Sequence, residues 1–515
     1  MRPTAAAGSA FGWRRWLVVG LAWAAPAVSA AAATAAVTTP PPCRLPGLPN
    51  EVRCGQLTRP LNPAQPQGPQ IEVHYAVLPA LTRQPRPDPL FVLAGGPGQS
   101  AIDLAPQVAG LFRRLNQQRD IVLVDQRGTG RSAPLVCEEP RHEPLAAQAL
   151  GPQVERLMRC RDVLARQAPL REVQDLRWFT TSVAVQDLDA VRHALGFARV
   201  NLIGGSYGTR VALEWLRQHP THVRRGVLDG VAPPDMALPH SSGQDAEAAF
   251  EALLKACDTE PGCSARHPKL RRQWRDLMAG LPRAISVTHP VDGRRETVTL
   301  TPDLLAAWVR GPLYRPSLAS ALPAALAAAA EDDRWEGLVG LNAVLSARQG
   351  PAQVALGMHF SVVCAEDQPA VPAPAAGTSL RWNDSGRQLY AQVCAQWPRG
   401  EVPAGFTTVA TSPVPWLLLS GGLDPITPPR HGQRMAEALG PLARHVVLPH
   451  AGHGLMGVGC LGEVITRFFD SVDDAGALAV DAGCAQDVPR PPMFELPRPP
   501  GSPLQRLSQP TAATR

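Results

Sequence analysis

Six short apolar runs recur along the chain: Leu90-Phe91-Val92-Leu93, Ile121-Val122-Leu123-Val124, Val200-Asn201-Leu202-Ile203, Gly226-Val227-Leu228-Asp229, Trp416-Leu417-Leu418-Leu419 and His445-Val446-Val447-Leu448. They are too short for helices, and most are too continuously apolar for strands wetted on one face. Such runs, separated by helical patterns, predict a mostly parallel sheet covered by helices on both faces, an α/β fold. Asp187 to Leu195 has helical spacing and stops at Gly196, a residue suited to ending a helix. Thr209 to Leu216 reads as the helix that follows the third run.

Between the fourth and fifth runs the pattern changes for far longer than an ordinary α/β connection. Residues 235–405 are rich in helical alanine and leucine, as in Leu318 to Ala330, with Trp274, Trp308 and Trp335 scattered through them. The stretch reads as a large, mainly helical cap inserted between two parts of the sheet domain, 31–234 and 406–486. The tryptophans fit either a pocket lining or a core, and their spacing favours a core.

A chain of 515 residues, 45% hydrophobic, is long enough for one α/β domain with an insertion, or for two domains. The formal charge of +6 rests almost wholly on arginine, with Lys255 and Lys269 the only lysines, and no block of like charge forms an arm for nucleic acid. Prolines gather near 39–69, 367–374 and 489–510, and the last of these opens an expected flexible tail, 487–515.

At the other end, Arg14-Arg15 precede the uncharged stretch Trp16 to Ala27, and Val28-Ser29-Ala30 offers the small residues a signal peptidase needs. Residues 1–30 therefore read as an export signal, leaving no stable membrane partner once removed. An uncleaved anchor is the alternative, because Trp16 to Pro42 carries no charge; Pro26 and the alanine-rich second half favour cleavage.

Cysteine usage agrees with a periplasmic or extracellular location. The chain holds ten, and no C-x-x-C of metal-site spacing occurs, so no zinc or iron-sulfur site is expected. Connectivity does not follow from sequence, but pairing nearest neighbours closes short loops at low entropic cost. That gives Cys43 with Cys54, Cys137 with Cys160, Cys257 with Cys263, Cys364 with Cys394, and Cys460 with Cys484.

The chemistry is carried by Gly204-Gly205-Ser206-Tyr207-Gly208, between the third run and its helix. G-x-S-x-G in a strand-to-helix setting is a nucleophile elbow, in which the serine occupies a strained turn and small neighbours keep strand and helix from clashing. Alone, the pentapeptide also fits a glycine-rich turn. Such a serine needs an acid after a later strand and a histidine after the last. Asp424 follows the fifth run in Gly421-Gly422-Leu423-Asp424-Pro425-Ile426-Thr427-Pro428, and His453 follows the sixth in Pro449-His450-Ala451-Gly452-His453-Gly454. Asp229 is the alternative acid and His450 the alternative base, while Asp before Pro also starts ordinary turns.

Further motifs extend the pattern: Gly95-Gly96-Pro97-Gly98 after the first run, Asp125 through Ser132 after the second, and Cys364-Ala365-Glu366-Asp367 with Cys394-Ala395-Gln396-Trp397-Pro398. With the elbow and the two loops that follow it, they span roughly 40–485, and the chain resembles exported, disulfide-containing members of the prolyl iminopeptidase and tripeptidyl aminopeptidase branch of the α/β-hydrolases. The Cys364 and Cys394 motifs resemble the C-terminal region of the tripeptidyl type. One departure stands out: members often have histidine before Gly-Gly-Pro-Gly, where this chain has Ala94, a position outside the triad.

The resemblance implies Ser206 as nucleophile, His453 as base, Asp424 as orienting acid, and the backbone amides of Gly96 and Tyr207 as oxyanion hole, with no cofactor and no metal. It also implies peptide substrates with a free N-terminus. Acidic residues of the cap region bind that amine in this branch, so Glu366 is nominated as an amine anchor beside the reading of a structural carboxylate. The same triad serves esterases and lipase-like hydrolases, and a fold of this kind can persist as a non-catalytic binding protein, so both remain alternatives to an aminopeptidase.

Overall fold

The computed structural model describes residues 39–138, 144–290, 292–346, 354–368, 382 and 384–494. The expected export signal at 1–30 lies outside them. Among the described residues no helix is long and apolar enough to cross a membrane.

Among the described residues eleven strands form: β1 (Pro42–Cys43), β2 (Val52–Pro60), β3 (Gln70–Leu78), β4 (Leu90–Leu93), β5 (Ile121–Val124), β6 (Val200–Gly205), β7 (Val223–Asp229), β8 (Arg283–Thr288), β9 (Arg295–Leu300), β10 (Trp416–Gly421) and β11 (Ala443–Leu448). All but β8 and β9 belong to one sheet of order β1-β2-β3-β5-β4-β6-β7-β10-β11. From β5 to β11 every pairing is parallel, whereas β1, β2 and β3 add an antiparallel edge. The six apolar runs are β4, β5, β6, β7, β10 and β11, and β4, β5 and β10 are buried along their whole length, as expected of strands covered on both faces.

Two hydrophobic clusters sandwich the sheet. One gathers Phe91, Val122, Leu202, Val211, Trp215 and Trp416; the other gathers Ile121, Leu123, Ile203, Leu417, Leu419 and Phe468. The alternation of Leu202 with Ile203 and of Leu417 with Leu418 between these clusters is the two-residue period of a strand seen from both sides. At Gly226 the sheet admits no side chain, because a Cβ there would lie 2.0 Å from the Trp416 ring.

A third cluster belongs to the insertion: Phe250, Leu253, Trp308, Leu326, Trp335 and Trp382 pack together above β8 and β9 residues such as Val287 and Val298. Trp308 and Trp335 are fully buried there and Trp274 packs at the edge against Phe250, so these tryptophans form core. The cluster is narrower than the 235–405 stretch. Helices Leu356–Glu366 and Asp384–Cys394 lay Met358, Phe360, Val362 and Val393 on the sheet-side cluster, because their apolar faces match that surface. Of the expected tail, residues 487–494 are held against the insertion, where Met493 is buried in its cluster and the Phe494 amide donates to the Ser320 carbonyl at 3.0 Å, and residues 495–515 lie outside the described ones.

The ten cysteines pair as nearest neighbours, 43–54, 137–160, 257–263, 364–394 and 460–484, with Cα–Cα separations of 5.8, 5.5, 5.1, 5.0 and 6.4 Å. Cys364–Cys394 joins the two helices that cover the sheet.

Packing at β7 gives a direct test. Gly226→Ala is expected to lower stability by about 1–3 kcal/mol, since the Trp416 ring is fixed by neighbours on every side. Gly340→Ala, mid-helix with nothing within 4 Å of the new methyl, is expected to be neutral or stabilising. Urea denaturation monitored by tryptophan fluorescence distinguishes the two, and equal midpoints refute the packing argument.

Candidate active site

Ser206 stands between β6 and the helix Tyr207–Gln218 with φ 54° and ψ −122°, a backbone conformation that a non-glycine residue adopts only when its surroundings force it. The forcing is visible in the flanking glycines. A Cβ on Gly204 would lie 2.3 Å from the Gly208 carbonyl oxygen, and one on Gly208 would lie 2.1 Å from the Leu93 carbonyl oxygen. The turn is pinned from both sides: the Ser206 amide donates to the Asp229 carbonyl at 2.8 Å, and the Thr209 amide and hydroxyl both donate to the Ser206 carbonyl.

The loop after β4 runs beside the serine. A Cβ on Gly95 would sit 3.4 Å from the Ser206 Cβ, and Gly96 has φ +112°, open only to glycine without strain. Gly95 thus lies against the elbow, and Gly96 is the next residue of the same loop. Asp125 at the end of β5 braces this loop: its Oδ1 accepts from the Ser100 hydroxyl at 2.7 Å and the Ile102 amide at 3.1 Å, and its Oδ2 from the Arg131 amide at 3.0 Å. The Ala355 amide donates to the Gly98 carbonyl at 2.9 Å, tying the loop to the covering helix.

Asp424 and His453 meet across the carboxyl ends of β10 and β11, with Nδ1 of His453 2.8 Å from Oδ2 of Asp424. The amides of Ile426 and Thr427 both donate to Asp424 Oδ1 at 2.9 Å, and the Thr427 hydroxyl donates to Oδ2 at 2.8 Å while lying 3.1 Å from His453 Nδ1. Burial alone pushes the Asp424 carboxyl up; the His453 charge and hydrogen bond, followed by the two amides, overcome this and hold it below its ordinary value. Burial pushes the His453 imidazole down, and Asp424, with a smaller share from Asp229, reverses that to leave it above 6.5. From the insertion, Tyr314 meets the histidine edge to face at 5.4 Å, and its carbonyl accepts from the His453 amide at 3.0 Å.

The alternatives separate cleanly. His450 is exposed on the turn before His453. Asp229 lies at the end of β7, and its carboxylate faces the amides of Leu455 and Met456, not an imidazole nitrogen. Thr427 carries no sequence signal beyond its place three residues after Asp424, yet it contacts both partners of the pair.

Glu366 is placed differently from the amine anchor nominated by resemblance. Its side chain is 1% exposed, Oε1 accepts from the Thr181 amide at 2.7 Å, and Oε2 accepts from the Thr181 hydroxyl at 2.8 Å and from Arg210 at 3.4 Å. A carboxylate that binds a substrate amine must keep an oxygen open to it, and here protein groups occupy both. The Thr181 hydroxyl also meets the Tyr207 hydroxyl at 2.7 Å, so Glu366 supports the elbow from beneath. Burial raises its carboxyl to about 7, against the lowering by Arg210 and the Thr181 amide.

The His453 environment fixes a pH dependence. As a base the imidazole must be neutral, so kcat/KM is expected to rise with pH through a midpoint above 6.5 and then level off. Thr427→Val removes one hydrogen bond to a carboxylate and is expected to cost about tenfold in kcat with KM little changed. Steady-state kinetics across pH check both; a midpoint below 6.5, or a Thr427→Val enzyme at full kcat, contradicts this geometry.

Residues 88–459 match the family model of the alpha/beta hydrolase fold. The tripeptidyl aminopeptidase of Streptomyces lividans is 30% identical over 265 residues, 48% of this chain and 48% of that protein, so the match spans about half the relative's length. Serine protease Hip1 of Mycobacterium tuberculosis is 24% identical over 470 residues, 82% of this chain and 85% of its own. A proline iminopeptidase of Neisseria meningitidis is 29% identical over 143 residues, 28% of this chain and 32% of its own. The family match, the parallel sheet and the turn that carries Ser206 agree: this chain belongs to the alpha/beta hydrolase fold family.

Proposed function

We propose that this protein is an exported serine aminopeptidase that cleaves peptide bonds near a free N-terminus, with Ser206, His453 and Asp424 as its triad. The observation that carries the reading is the hydrogen-bonded Asp424–His453 pair after the carboxyl ends of β10 and β11, the same end of the parallel sheet at which β6 leads into a serine held in a strained conformation. Protease and aminopeptidase names among the relatives support a peptide substrate, and five disulfides support export.

In this reading the Ser206 hydroxyl attacks the acyl carbon as its proton passes to His453, whose imidazolium Asp424 stabilises. The tetrahedral oxyanion is met by the Gly96 and Tyr207 amides, each such donor being worth about 3 kcal/mol in the transition state. The C–N bond then breaks, His453 gives its proton to the leaving amine, and the acyl group stays on Ser206. Water, deprotonated by the same histidine, attacks the ester and regenerates the hydroxyl. Each step is acid–base chemistry or acyl transfer, and the named side chains and amides supply it.

Arylamides of Ala-Ala-Pro and of Pro, N-blocked versions of both, and short-chain nitrophenyl esters test the reading. Free-amine peptides are expected to be turned over in preference to blocked ones, and Ser206→Ala to lose about 10⁶-fold in kcat. Blocked and free peptides cut equally well refute the requirement for a free N-terminus, and esters cut alone make the protein an esterase-like hydrolase instead.

A further inference from the structure

We propose that Asp229 is a positioning residue that locks the nucleophile elbow to the histidine loop and places a second negative charge beside His453. This rests on the serine-hydrolase reading of Ser206 and His453. Asp229 reaches both ends of the site at once: its backbone carbonyl accepts from the Ser206 amide at 2.8 Å, and its Oδ2 accepts from the Leu455 amide at 2.7 Å and the Met456 amide at 2.9 Å. These two amides follow His453 within the same loop, so the carboxylate sets how far that loop stands from the elbow. The neighbouring Gly230, at φ +66°, passes directly beneath the imidazole, where a Cβ would lie 3.3 Å from His453 Cε1.

Two amides do not require a charge, because a neutral side-chain oxygen accepts from both as well. Yet the residue is a buried acid whose Oδ1 accepts no hydrogen bond from the described residues. Burying an ionised carboxylate so incompletely paired is costly, and a group of this kind persists where its charge is used. Two titratable groups face it, His453 and Asp424, and His453 is faced in turn by Asp424, Asp229 and the ring of Tyr314. Burial pushes the Asp229 carboxyl up to about 6, against the pull of the two amides and His453. Above that pH it is ionised and favours the imidazolium that forms when Ser206 gives up its proton; below it the support is lost.

Two substitutions separate anchor from charge. Asp229→Asn keeps an oxygen for the Leu455 and Met456 amides and removes the charge, whereas Asp229→Ala removes both. On a free-amine arylamide, Asp229→Asn is expected to shift the acid limb of kcat/KM to lower pH and to lower plateau kcat about tenfold. Asp229→Ala is expected to lose about 100-fold in kcat, with KM within about twofold, from displacement of the histidine loop. Superimposable pH profiles for Asp229→Asn and wild type remove the charge role, and wild-type kcat in Asp229→Ala removes the anchor; Asp229→Asn decides alone if the alanine variant does not fold. A Ser206→Ala control keeps the two ideas apart. If wild type shows no Ser206-dependent turnover, the function reading fails, and the His453 imidazole midpoint by proton NMR still tests the electrostatics: a lower midpoint in Asp229→Asn supports the proposal, and an unshifted one overturns it.

Discussion

The backbone crossing at Gly208 constrains everything at the candidate site. The helix after the elbow starts so close to β4 that only hydrogen fits between Gly208 and the Leu93 carbonyl, and strand β6 can turn into that helix only because Gly204 also lacks a side chain. Ser206, caught between them, takes its left-handed conformation as the remaining solution. The same closeness brings Gly95 of the Gly95–Gly98 loop against the serine, so the strained turn and the approach of this loop are consequences of one packing event. Strain of this kind is held by surrounding structure and serves preorganisation.

That surrounding structure is largely polar and buried. Asp125 braces the loop after β4, and Arg127 forks onto Asp187 through Nε at 2.7 Å and Nη2 at 3.0 Å while its Nη1 donates to the carbonyls of Leu61 and Trp178. Arg210, on the elbow helix, pairs with Asp367 at 2.6 Å and donates to the Met236 carbonyl at 2.8 Å. A buried pair of this geometry adds little net stability, but removing one partner strands a charge, so such pairs specify one arrangement among several compact ones. Asp125 through Ser132, a motif of the resemblance, and Cys364 through Asp367, which holds the nominated amine anchor, both belong to this framework.

What the sequence made legible followed from periodicity and local sterics. The runs that became β4, β5 and β10 were continuous enough to mark buried strands, and Gly196, at φ +76°, ended its helix as its lack of a Cβ allows. The antiparallel strand β2 carries no such signal: it mixes arginine, glutamine and threonine because it lies near the sheet's edge and is only partly covered. Among the described residues strands β8 and β9 pair only with each other, apart from the sheet that the apolar runs mark. Glu366 shows the harder limit. An acidic residue after a cysteine reads equally as ligand or as scaffold, and only the Thr181 amide and hydroxyl, contributed from 185 positions away, decide between them.

Asp229 and Asp424 pose the same problem in its sharpest form, since Asp229 ends β7, Asp424 follows the end of the adjacent parallel strand β10, and sequence order permits either as the acid. Environment divides them. Asp424 sits within the reach of His453 and of two amides that follow it in its own turn, and the opposite charge holds it ionised. Asp229 is as deeply buried but meets the imidazole only through space, and its carboxyl rises toward the neutral form. Two carboxylates driven in opposite directions on neighbouring strands are the mark of divided roles: the one kept low orients and stabilises a cation, and the one kept high can change charge within the range where a histidine works. The loop after β11 is tied to Asp229 through the Leu455 and Met456 amides, and in that position the imidazole Nδ1 meets Asp424 and not Asp229.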